Sequence, residues 1–407
     1  MKFIDGGVCA AKGFKAAGVH VGVKTHADWK KDVALIVSET PCAAAGVFTK
    51  NVVKAAPVLV DMEHLKSGVA RAVIANSGNA NACAPHGEEY AERMCAAAAN
   101  VIGCKPEEVL VSSTGVIGQT LNIAAIEDGM QNLYDALASS AKASDAAAHA
   151  IMTTDTVKKE AAVETVIGGK TVRMGGVAKG SGMIHPNMGT MLCFLTTDCA
   201  ISAAMIRTAL LETAEVSFNR ISVDGDTSTN DSCMVLANGL AGNAEITAKG
   251  ADYDAFLEAL QALCVKLARD MASDGEGAKH LITCIVKGAA TVKSAETIAK
   301  SVISSTLMKA AIFGADANWG RALCAMGYSG EAFDPNKVNV SFASAAGEIE
   351  VCANGRGLDF DEDKAKKILT EHDVEIRITM GEGGAECVCW GCDITYDYIK
   401  INGDYRT

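Results

Sequence analysis

Proline is scarce in this chain, with six among 407 residues, so no proline-rich linker separates its parts. Long apolar runs are absent too. No stretch reaches the ~18 residues that a membrane span needs, and the most apolar region, Met191 to Leu211, is broken by Asp198 and Arg207. The segment Met1 to Gly7 lacks the unbroken apolar stretch of a secretion signal. Basic residues are in the minority, 37 against 49 acidic, giving a net charge of −12. An acidic surface repels phosphate backbones, which argues against a nucleic-acid partner. Internal repeats and low-complexity segments are also missing.

What is present points to a folded enzyme-sized chain. The length suggests two or three domains, or two large ones, and 49% hydrophobic residues supply a sizeable core. Fifteen cysteines are an odd number scattered through a chain too long to need stapling, which fits free thiols in a reducing cytoplasm. Short apolar runs at Arg71–Ala75 and Glu108–Ser112 read as strands. Glu88–Ile102 reads as a helix closed by Gly103. Phe256, Leu260, Leu263, Leu267 and Met271 recur at three- and four-residue spacing, predicting a helix over Tyr253–Ala272. Ser294–Ala311 and Asp361–Thr370 are further helix candidates. His280–Gly288, Val338–Ala343 and Glu375–Met380 read as strands, and Ala385–Asn402 as one long extended run. Interleaved strands and helices give an α/β or α+β class.

Several familiar motifs fail on spacing. Gly169-Lys170-Thr171 lacks the earlier glycine of a phosphate loop, since Glu164 stands there. Asp224-Gly225-Asp226 opens like a calcium loop, but Val235 occupies the place of the bidentate Glu. Alternation along a strand puts Cys387 and Cys389 on one face and Cys392 on the other, against a zinc site. No Gly-x-Ser-x-Gly elbow supports a serine nucleophile.

One segment stands apart. Gly175 to Gly182 holds four glycines around Lys179, and a Gly189–Thr190 step then leads into the apolar strand Met191–Thr197. A threonine hydroxyl placed there can attack the Gly189 carbonyl, and hydrolysis of the resulting ester frees a new N-terminus. The released α-amine, with an unperturbed pKa of about 8, can serve as general base for its own hydroxyl. On composition alone, an ordinary glycine-rich turn before a core strand is the alternative.

The segment Lys179 to Leu192 resembles the signature of the ornithine acetyltransferase family, in which Met-x-x-Pro-x-Met-Ala-Thr-Met-Leu follows a lysine-glycine run. Further blocks match in order: Ala75–Cys83, Ser112–Gly118, Met152–Thr156, Asn219–Asp231, Gly275–Ala278, Asn318–Arg321 and Trp390–Asn402. The resemblance implies an α/β sandwich of stacked sheets with outer helices, of the self-cleaving N-terminal-nucleophile kind. It implies cleavage at Gly189–Thr190 into an α chain (1–189) and a β chain (190–407), two of each assembling in the cytoplasm. Thr190 is then the nucleophile, Thr114 and Gly115 form the oxyanion hole, and Thr153, Lys179, Thr190, Glu276, Asn402 and Thr407 contact substrate. The implied reaction moves acetyl from N2-acetylornithine to glutamate without metal or organic cofactor, and leaves open acetyl-CoA as a co-substrate. Lys179 suits a carboxylate or acetyl oxygen, and Glu276 an amino group. Gly189 and His185 stand where the family usually has alanine; both leave the nucleophile in place, and the freer backbone of Gly189 raises an expectation of slower cleavage. A self-cleaving aminopeptidase of similar architecture, which typically uses serine, and a specialised-metabolism acetyltransferase are the alternatives.

Overall fold

Two sheets and a set of covering helices account for nearly every apolar run in the chain. The structure, a computed structural model, describes residues 1–24, 30–185 and 191–403. Gly189, Thr190 and Thr407, and with them the expected scissile bond, lie outside the described residues.

The first sheet holds β1 (Lys2–Ile4), β2 (Phe14–Val19), β3 (Val33–Phe48), β4 (Val69–Asn79) and β5 (Val109–Val116). It continues through β6 (Lys159–Ile167), β7 (Lys170–Lys179), β8 (Leu192–Thr197) and β10 (Ser232–Ala237). The second holds β9 (Ile221–Ser222), β11 (Leu281–Ala289), β12 (Asn339–Ser344), β13 (Gly347–Ala353), β14 (Arg356–Gly357), β15 (Asp373–Thr379) and β16 (Ala385–Cys392). The helices are α1 (Ala56–His64), α2 (Gly87–Ile102), α3 (Ile123–Asp135), α4 (Ala141–Ala150), α5 (Ala203–Val216) and α6 (Ala251–Ser273). Beyond them come α7 (Val292–Ser304), α8 (Thr306–Phe313), α9 (Trp319–Gly327), α10 (Glu362–Leu369) and α11 (Tyr396–Gly403).

The two-residue period of a strand decides where each core forms. Along β8 and β10, Cys193, Leu195, Cys233 and Val235 pack with α5 and α6. The alternate residues Leu192, Phe194, Met234 and Leu236 turn to the other face. There they share a core with Ile36 of β3, Val73 of β4, Leu110 of β5 and the alanines of α4. Their chain neighbours Leu35, Ile74 and Val111 face the opposite way and pack with α2 and α3. Across the first sheet the succession is thus α5 and α6, the strands β8 and β10, the shared core, the strands β3 to β5, and α2 and α3, and the expected stacked α/β class holds. The second sheet lays Ile282, Phe342 and Ile376 against α7 to α10.

All five residues of the expected Tyr253–Ala272 stripe are buried on one face of α6. Gly103 closes α2 in the left-handed conformation, at φ 76°. Cys387 and Cys389 enter one core and Cys392 the other, as strand alternation requires. All fifteen cysteines are unpaired. Gly168 and Gly169, both at positive φ, make the β6–β7 turn, so the phosphate-loop imitation is a hairpin.

Two expectations need correction. Ser294–Ala311 is not one helix, because Ser305 adopts an extended ψ of 114° and caps α8 through its hydroxyl on Met308 N. The tail is not extended to Asn402: β16 stops at Cys392, and Tyr396 onward is helical. Alternation breaks there because Asp393 turns its carboxylate back to the Lys279 and His280 amides, at 2.8 and 3.0 Å.

β7 and β8 are antiparallel neighbours, with Lys179 facing Leu192. Chain on either side of residues 186–190 therefore shares one sheet.

Candidate active site

Thr114 and Gly115 lie near the end of β5, which runs parallel to β4 from the Ala72–Val109 pair to the Asn79–Val116 pair. Gly115 has φ 134°, and a Cβ there would run into the Gly78–Asn79 peptide. Only glycine lets the two strand ends approach this closely. Asn230, just before β10, holds the adjoining backbone: its Nδ2 donates to Ala80 O at 2.6 Å and Ser113 O at 2.8 Å.

Lys179 ends β7 with only 8% of its surface exposed. Its Nζ donates to Thr114 Oγ1 at 3.4 Å and lies 4.0 Å from Asp155 Oδ2. Asp155 is fixed by the amides of Gly180 at 2.8 Å and Thr153 at 3.1 Å. Its Oδ1 also receives Lys159 Nζ at 2.6 Å, and the same ammonium reaches Asp274 Oδ2 at 2.5 Å. The Lys159 and Asp155 side chains have no solvent exposure. Four charges therefore alternate inward from the Thr114 hydroxyl: Lys179, Asp155, Lys159, Asp274. Burial raises the Asp155 carboxyl, but the two ammonium groups outweigh it and hold the pKa well below the carboxylate range. Burial lowers Lys179, and Asp155 opposes that shift.

Glu276 follows α6 by three residues. Its amide donates to Ser181 O at 2.9 Å, while Ser181 Oγ donates to Asp274 O at 2.6 Å. The Glu276 carboxylate lies where a side chain at Gly182 would stand. Asn402 of α11 donates from Nδ2 to Glu276 Oε2 at 2.7 Å. The tail is docked beneath that contact by Thr395 Oγ1, which donates to Gly277 O at 2.7 Å. It is docked also by Asp393, whose Oδ2 is 2.8 Å from His280 Nδ1.

These separate pieces of chain surround one cavity of about 230 Å³. Thr114, Gly115, Thr153, Lys179, Glu276 and Asn402 line it, and Met191 forms part of its wall. The volume is below the roughly 300–1,000 Å³ of pockets that take drug-sized ligands, so it suits a smaller molecule. Leading into the undescribed segment, Asp224 accepts the amides of Met183 and Ile184 at 2.6 and 2.8 Å. Thr227 Oγ1 donates to His185 O at 3.0 Å. The calcium-loop imitation thus serves as a backbone clamp. Among the described residues, no group of three or more His, Cys, Asp or Glu is arranged to hold a metal.

The described residues expected at the site all meet at the cavity; Gly189, Thr190 and Thr407 are outside the description. Sequence reading missed Asp155, Lys159, Asp274 and Asn230. Asp155 and Asn230 fall inside the matching blocks Met152–Thr156 and Asn219–Asp231, and Asp274 directly precedes Gly275.

The ArgJ family model matches residues 15–407. The arginine biosynthesis bifunctional protein ArgJ of Symbiobacterium thermophilum is 50% identical over 408 residues, spanning 100% of both chains. ArgJ 1 of Clostridium acetobutylicum, described likewise, is 49% identical over 97% of this chain and 96% of that protein. A solved chain, ornithine acetyltransferase complexed with ornithine from Mycobacterium tuberculosis, is 39% identical. It covers 47% of this chain and 99% of that one, with a TM-score of 0.42. A family match over nearly the whole length, with end-to-end relatives at half identity, establishes that the chain belongs to the ArgJ family.

Proposed function

We propose that this chain moves the acetyl group of N2-acetylornithine to glutamate, in arginine biosynthesis, with Thr190 as nucleophile after cleavage of Gly189–Thr190. The observation that carries the reading is the single cavity joining Thr114, Gly115, Lys179, Glu276 and Asn402 to Met191, the residue peptide-bonded to Thr190. The freed α-amine of Thr190 takes the proton from its own hydroxyl, whose oxygen attacks the acetyl carbonyl. Charge gathers on the carbonyl oxygen, where the Thr114 hydroxyl and the Gly115 amide are suited to donate. The tetrahedral species collapses, ornithine departs with the proton, and acetyl remains as an ester on Thr190. The neutral amine of glutamate then attacks the ester and reverses the steps.

The same groups serve both amino acids. Lys179 offers positive charge to a carboxylate or the acetyl oxygen, and Glu276 negative charge to an amino group, with Thr153, Asn402 and Thr407 as further contacts. The mature enzyme has chains of 189 and 218 residues, two of each, in the cytoplasm. No described helix is long and apolar enough to cross a membrane. Resident cofactors have no part in this scheme, and acetyl-CoA is proposed as a second acetyl donor, in keeping with relatives described as bifunctional.

Purified protein should separate into two pieces on a denaturing gel, the smaller-numbered one ending at Gly189. Thr190→Ala should remain whole and inactive. An uncut Thr190→Ala chain that still makes acetylglutamate, or peptide hydrolysis independent of glutamate, would overturn the reading.

A further inference from the structure

Lys179 touches Thr114, and the charge row behind it is built from residues that no substrate role requires. A threonine hydroxyl has one proton and two lone pairs, whereas an ammonium has protons only. At the Lys179–Thr114 contact of 3.4 Å, the charged lysine must therefore donate and the hydroxyl oxygen must accept. The Thr114 proton is then left for the cavity, and an oxygen already accepting from a cation is a stronger donor. If Lys179 loses its charge, its own lone pair can accept the Thr114 proton and turn it away from the cavity.

Resting on the proposed acetyl transfer, we propose that Asp155 acts through Lys179 as a positioning residue for the oxyanion donor. The ammonium occupies a lone pair of Thr114 Oγ1, so the hydroxyl proton faces the acetyl oxygen. The surrounding geometry supports this. Asp155 cannot swing away, because Gly180 N, Thr153 N and Lys159 Nζ hold both its oxygens. Lys159 is in turn held by Asp274, which caps the end of α6. The other charged groups felt by Lys179 are Glu276, Asp231, Lys159 and Lys24. Asp155 is the anion nearest it in the charge row, and burial works against its charge.

The sign of the pH effect follows. Asp155 stabilises charged Lys179, so removing the carboxylate lowers the lysine pKa and moves the alkaline fall of kcat to lower pH. The experiment is the pH profile of kcat for acetylornithine and glutamate, on fully cleaved protein. In Asp155→Asn the alkaline limb should move down by about one unit or more, with KM little changed. In Lys179→Arg, whose guanidinium stays charged, the limb should vanish or pass beyond the measurable range. Lys179→Arg tests the Lys179–Thr114 contact on its own, even where Asp155→Asn fails to fold or mature. In a Thr114→Ala background, neither substitution should move the limb. An unmoved limb in Lys179→Arg, or a shift that survives Thr114→Ala, would overturn the proposal. Mass measurement of the acetylated Thr190 chain in each variant separates this from failure of the acetyl-enzyme reading, which would abolish that species in every variant and in the parent.

Discussion

Asn402 Nδ2 donates to Glu276 Oε2 across 2.7 Å, tying the last described helix to the loop that leaves α6. The contact occupies one oxygen of a carboxylate that is only 6% exposed, and orients the group toward the cavity. Hydrogen bonds to charged groups contribute about 1.5–3 kcal/mol. Asn402→Ala should therefore raise KM for acetylornithine by roughly ten- to a hundredfold, with self-cleavage complete and kcat within a few-fold. A fall in kcat at constant KM would remove Asn402 from substrate binding.

Thr114→Ala tests the oxyanion donor itself. Charge on the acetyl oxygen forms only as Thr190 attacks, so the lost donor should appear in kcat rather than KM. The expected loss is on the order of 10²–10³, about 2.7–4 kcal/mol, measured on chains shown to be cut. Near-parental kcat in such chains would make Thr114 a turn residue.

Gly115→Ala should damage the fold as well as the site. Its φ of 134° disfavours any side chain, and the added methyl meets the Gly78–Asn79 peptide of the neighbouring strand. Backbone strain of this sort costs on the order of 1–3 kcal/mol, before β4 and β5 are pushed apart. Thermal unfolding should show a clear drop in Tm together with lost transfer. An unchanged Tm would mean the strand ends are looser than the structure has them.

The cavity residues were legible through the blocks that resemble the ornithine acetyltransferase family, since Thr114-Gly115 by itself reads as an ordinary turn. Lys179 precedes Gly180-Ser181-Gly182, and Thr114-Gly115 follows an apolar run of strand length. The supporting charges were not legible. Lys159 meets Asp274 across 115 positions, and an isolated lysine and aspartate carry no pattern until the fold brings them together. Period explains the rest. The α6 stripe from Phe256 to Met271 spans about four turns and reads clearly, whereas Ala385–Asn402 mixes a strand and a short helix whose Tyr396 and Ile399 are exposed. An apolar run without a buried face gives no period to read. The change of partner along the 16-residue β3, from β2 at Val33–Ser38 to β10 at Ala43–Phe48, had no sequence signal at all.

The buried row also sets a pH response. Asp155 has a depressed pKa in the folded chain, so its contribution to stability is complete above its unfolded value of about 3.9. That contribution is lost as pH falls through the folded value. Tm should fall steeply in strong acid, and Asp155→Asn, less stable at neutral pH, should lose less over the same range. Lys159→Met leaves Asp155 and Asp274 facing each other without a cation between them. Breaking such a buried pair costs about 3–5 kcal/mol. Wild-type stability in Lys159→Met at neutral pH would contradict the ion-pair assignment.

Intact mass measurement of the protein after incubation with acetylornithine alone tests the central claim most directly. The expected result is two chains of 189 and 218 residues, the larger carrying one acetyl group on its N-terminal threonine, and that group lost when glutamate is added. Thr190→Ala should give a single unmodified chain of 407 residues. Acetylglutamate formed at full rate while neither chain ever gains an acetyl group would contradict a covalent path through Thr190.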